Sequence, residues 1–103
     1  MAFDAAWFEQ LEEGRQLARQ FVLDAMEALR KAGDSDGVNY LGTMLREDGP
    51  DIDGCVACLG RNDLVTQDWV DRLTTLHEVF GDLEDELAEL TDYLKEREAD
   101  SAA

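Results

Sequence analysis

The stretch Trp69–Leu94, WVDRLTTLHEVFGDLEDELAELTDYL, decides the fold. Its apolar residues Trp69, Leu73, Leu76, Phe80, Leu83, Leu87, Leu90 and Leu94 recur at alternating intervals of four and three. Such spacing places them on one face of an α-helix, whereas a half-buried strand would alternate every second residue. Thr66 is suited to cap the start, and Val65 and Val70 stand at the two positions of a hydrophobic staple. The spacing predicts one helix over 67–97, slightly bent at Gly81, with a frayed tail over 98–103. The same stretch carries Glu78, Asp82, Glu84, Asp85, Glu86, Glu89 and Asp92, with no Lys or Arg between Glu78 and Asp92. On one continuous helix, Glu78–Asp82 and Asp82–Glu86 are like-charge pairs one turn apart, which disfavour the helix by a few tenths (~0.2–0.5) of a kcal/mol each.

Upstream, Phe8, Leu11, Ala18, Phe21, Val22, Ala25 and Leu29 form a second apolar stripe. Asp4 is the expected N-cap, with Phe3 and Phe8 as a staple, and Gly33 suits the left-handed position after the last turn. A first long helix over about 5–32 follows. Gly14 inside it marks either a close helix contact or a tolerated surface glycine. Between the long helices two short ones are expected, over 37–47 and 55–59, the second capped by Asp53. Asp48-Gly49-Pro50 separates them, because proline cannot continue the ladder. The predicted fold is therefore all-α: two long antiparallel helices with two short helices between, in a single domain over 1–103. Val70, Val79 and Tyr93 widen the stripe beyond a two-helix seam. A homodimer completing a helical bundle, with Leu76, Phe80, Leu83, Leu87 and Leu90 as core or dimer seam, is the expected way to cover them.

Charge narrows the classes of partner. The chain has 103 residues, with 25 acids against nine Lys and Arg, a formal charge of −16. Such a chain repels nucleic acid and anionic membrane, and attracts basic protein surfaces. No apolar run is long enough to cross a bilayer, and the first residues lack the basic segment of a secretory signal. A cytoplasmic location is expected, where thiols stay reduced.

Catalytic patterns are weak. Cys55-Val56-Ala57-Cys58 has the C-x-x-C spacing of half a zinc site or of a redox pair, but neither a second pair nor an H-x₃₋₅-H follows. His77, the single histidine, offers at most a third ligand. Packing as small hydrophobes is the simplest reading of the two cysteines. Asp34-Ser35-Asp36-Gly37 and Asp51-Ile52-Asp53-Gly54 share part of a calcium-loop pattern but lack its remaining acids, so turn and cap roles are expected. His77 has no acid at helical contact spacing to orient it as a base.

The expected function is non-enzymatic: a regulatory or inhibitory protein whose acidic residues Asp82, Glu84, Asp85, Glu86, Glu89 and Asp92 meet a basic protein. Carboxylates ~5–6 Å apart on a helix approach the spacing of backbone phosphates, so the partner would include proteins that bind nucleic acid. The alternatives are a small zinc or redox protein using Cys55 and Cys58, and a salt-adapted helical domain whose acids meet no partner.

Overall fold

A computed structural model describes the backbone of residues 5–102 and the side chains of Glu9 and residues 11–99. The Asp4 cap, the Phe3–Phe8 staple and the side chain of Trp7 lie outside the described residues. Five helices follow one another: α1 (Ala5–Lys31), α2 (Ser35–Glu47), α3 (Ile52–Arg61), α4 (Gln67–Phe80) and α5 (Glu84–Ala102). There are no strands among the described residues, and no helix is long and apolar enough to cross a membrane. The all-α class agrees with the sequence pattern.

α1 and α2 end close to where expected, because the turns that stop them are written locally. Gly33 adopts φ +85° and closes α1. Its N–H donates to Arg30 O and that of Asp34 to Leu29 O, the paired bonds of a Schellman turn. Asp34 then caps α2, its Oδ1 accepting from Gly37 N–H at 3.0 Å. Asp51 caps α3 in the same way, accepting from Gly54 N–H at 3.0 Å. The cap of α3 is therefore Asp51 rather than Asp53, and the helix starts at Ile52 rather than Cys55. Both caps demand glycine three residues on. A Cβ on Gly37 would stand 2.8 Å from Asp34 Oδ2, and one on Gly54 would stand 2.6 Å from Asp51 Oδ2.

The C-terminal half departs from the expectation of one long helix. Gly81 does not bend the helix but ends it, with φ +76° and its N–H donating to His77 O at 2.7 Å. After Asp82 and Leu83, α5 sets off and packs back on α4. The tail is helical to Ala102, past the predicted end at 97. The like-charge penalty read from a continuous helix is correspondingly changed. Glu84, Asp85 and Glu86 form the first turn of α5, where the helix dipole favours carboxylates.

The helices enclose one core. Phe21, Val22, Ala25 and Leu29 of α1, Leu41 of α2, Cys55, Val56 and Leu59 of α3, Leu73 and Leu76 of α4, and Leu90 of α5 are all buried. α1 runs antiparallel to α4 through Gly14 against Val79 and Phe80, the Phe21–Trp69 ring pair, and Asp24 with Arg72. Gly14 is the close-contact glycine: a Cβ there would stand 2.6 Å from Val79 Cγ1. α5 does not pack on α1; it packs on α4 and α3. Gly60 of α3 lies flat against the Tyr93 ring, and Arg97 donates to Val65 O at 2.7 Å.

Much of the apolar width that suggested a dimer is thus used within the chain. Val70 and Tyr93 pack on the core, while Val79 and Phe80 remain 41% and 36% exposed.

Candidate interaction surface on α4 and α5

Glu78 is exposed on α4, Asp82 is exposed in the turn, and Glu84, Asp85 and Asp92 are exposed on α5. Glu89 is half-buried and accepts from the Tyr93 hydroxyl at 3.3 Å. Glu86 is also half-buried, and its Oε2 is shielded from solvent without a hydrogen-bond partner among the described residues. The structure therefore brings the expected partner-binding acids onto one hairpin but exposes only four of the six fully: Asp82, Glu84, Asp85 and Asp92. None of the seven acids from Glu78 to Asp92 forms a salt bridge among the described residues.

The proposed seam splits likewise. Leu76 and Leu90 are buried, and Leu83 and Leu87 are half-buried against the core. Phe80 is not part of the chain's own core: the chain turns at Gly81 and leaves its ring 36% exposed beside Gly14.

His77 holds the turn between the two helices. Its Nδ1 accepts from Leu83 N–H at 3.3 Å, which satisfies a donor at the start of α5. The ring borders a shallow groove with Glu84, Leu87, Thr91, Asp92 and Lys95. This role was not legible in the spacing, because an interval of six joins His77 to Leu83 only when the helix is broken between them.

The cysteines lie in the core, Cys55 at 0% and Cys58 at 6% exposure. Burial pushes both thiols upward, and for Cys55 the nearby Asp51 charge adds to it. Thiolate is the form that attacks disulfides and binds metal, so this setting disfavours both. Arg61 Nη2 approaches Cys58 Sγ at 3.7 Å. No group of three or more His, Cys, Asp or Glu is placed to hold a metal among the described residues, so His77 does not join the cysteine pair.

The sequence also left the reach of the Asp-x-Asp-Gly corners unread. Asp34 Oδ2 accepts from Arg61 Nη2 at 2.7 Å and Asn62 Nδ2 at 2.8 Å, clasping the α1–α2 corner to the end of α3. The Arg61 guanidinium, then the Gly37 N–H and Asn62, hold this carboxyl down to about 2. Asp51 Oδ2 accepts from the Tyr40 hydroxyl at 2.7 Å, joining α2 to α3. The repeated motif signalled the two caps, but its distant partners lie 27 and 11 residues away.

No family model, curated protein or solved structure matches this chain.

Proposed function

We propose that this protein works by binding, with the acidic surface of α4 and α5 docking on a basic face of another protein. The observation that carries this reading is the density of unpaired acids: seven lie from Glu78 to Asp92 with no Lys or Arg among them. Asp24, Glu27 and Asp34 each have a basic partner, whereas the seven acids of Glu78–Asp92 have none among the described residues. Their charge is therefore not neutralised within the chain and is available to steer a cationic partner. Steering raises association rates and falls as salt screens it. A short turn and a packed hairpin fix the backbone that carries the carboxylates, so the backbone loses little ordering entropy on docking. A nucleic-acid-binding protein is the partner class that dense carboxylates fit best, because its groove already accommodates phosphate charge.

Glu84, Asp85 and Glu86 also serve the start of α5, so the decisive substitutions lie elsewhere. The full chain would be used to capture partners from a native extract, alongside the triple variant Glu78→Lys, Asp82→Lys, Asp92→Lys. Expected is a basic protein recovered by the wild type, released by duplex DNA and by added salt, and lost with a variant that keeps its helical circular dichroism. Equal recovery by a folded variant, or recovery of no basic protein, would overturn the reading.

A further inference from the structure

A groove of about 500 Å³ lies between α1, the α2–α3 connection and the α4–α5 turn. Ala18, Leu45, Pro50, Ile52, Phe80 and Leu83 give it apolar walls. Arg15 and Arg19, one turn apart on α1, complete the lining, and no carboxylate contributes to it. We propose that this groove binds a small amphiphilic anion, a medium-chain carboxylate in chemical terms, with its chain on the apolar wall and its head between the two arginines.

Three observations support that occupant. The volume falls in the ~300–1,000 Å³ range of small-ligand sites, which combine apolar walls with a few polar groups. The two guanidiniums are available: Arg19 has no ion pair among the described residues, and Arg15 has only an exposed contact to Glu12 at 3.8 Å. Paired guanidiniums suit a planar carboxylate. Charge also chooses among occupants. An anionic head is favoured over a cationic one, because the charged residues lining the groove are Arg15 and Arg19. Beyond a Debye length of ~8 Å the remaining acids are largely screened, so the ligand head responds chiefly to the arginines beside it. The site adjoins the acidic surface at the α4–α5 turn, where Phe80 and Leu83 flank Asp82, and is opposite to it in charge preference.

The test titrates dodecanoate, below its micelle-forming concentration, into the full chain and follows backbone amide resonances. Saturable binding is expected, with shifts confined to residues 15–19, 45–52 and 80–83. Arg15→Glu with Arg19→Glu should weaken it by about tenfold or more, as loss of charge-assisted hydrogen bonds implies. Both side chains lie at the surface, so the double variant should fold, which its amide spectrum checks. Phe80→Ala should weaken binding through the wall alone. Dodecyltrimethylammonium, with the same chain and the opposite head, should bind far more weakly. Absence of saturation, equal binding of the cationic amphiphile, or unchanged affinity in the folded double variant would overturn the proposal. So would a dimer in sedimentation whose interface covers the groove and excludes dodecanoate.

Discussion

The acids of the two Asp-x-Asp-Gly corners and the acids of α4 and α5 are used in opposite ways. In the corners, Asp34 and Asp51 each accept a backbone N–H and then a side chain from another helix, so each charge or lone pair is spent inside the fold. On the hairpin, five of the seven carboxylates face water and none has a basic partner among the described residues. The lesson is that a net charge of −16 is not one property. Part of it fixes connections between helices, part stabilises the first turn of α5, and only the remainder is free to act outward.

The hairpin can be broken without touching a charge. Leu90 is the one α5 residue in the fully buried core, so Leu90→Ala should cost about 2–5 kcal/mol through lost contacts and a cavity. Urea unfolding measures it, and amide exchange should show α5 losing protection first. Gly60→Ala tests the same attachment from α3. A methyl there overlaps the Tyr93 ring, and overpacking of this kind costs about 1–3 kcal/mol. A gain in stability, the usual result of replacing a helical glycine with alanine, would show that Tyr93 yields freely.

The corners have their own test. Asp51→Ala should cost about 1 kcal/mol, typical of a lost N-cap, visible as a lower urea midpoint. Asp34→Asn keeps an N-cap but removes the charge facing Arg61. Asp34 ionises at about 2 in the fold against an ordinary 3.8, so its charge stabilises the fold above about 3.8 and ceases to do so as pH falls through about 2. Wild type should therefore be more stable than Asp34→Asn at pH 5, with the gap narrowing as pH falls toward 2. A gap independent of pH would remove the Arg61 charge from the account.

The smallest effect belongs to the unpaired acids. Neutralising Glu78, Asp82 and Asp92 to Gln, Asn and Asn should change stability by only a few tenths (~0.2–0.5) of a kcal/mol at physiological salt, with a larger gain at low salt, as screened surface charges do. A large gain persisting in molar salt would mean that these residues oppose the fold by something other than charge repulsion.

The elements legible in the sequence were those written within a few residues. Gly33 as the end of α1, the stop at Gly49-Pro50, and Asp34 as a cap need only local geometry. The buried cysteines followed from their apolar neighbours. The break at Gly81 was not legible, because Phe80 to Leu83 is a spacing of three whether the chain continues as helix or turns. Glycine also accepts either helical or left-handed φ. Of the candidate site, the list of acids was readable and their exposure was not: Glu86 and Glu89 are half-buried only because α5 turns onto the rest of the fold.

By itself the sequence determined a helical chain, where its first two helices stop, and where negative charge accumulates, because helical period, glycine and proline stops and charge are local properties. Only the tertiary structure decided that Trp69–Leu94 is a hairpin. An unbroken helix over 81–94 would run roughly 20 Å straight on from α4. It would carry Leu90 out of the core, and α3 would lose α5 as a neighbour. Turning at Gly81 buries Leu90 and sets Tyr93 on Gly60. Burying that apolar surface favours the hairpin over the straight helix.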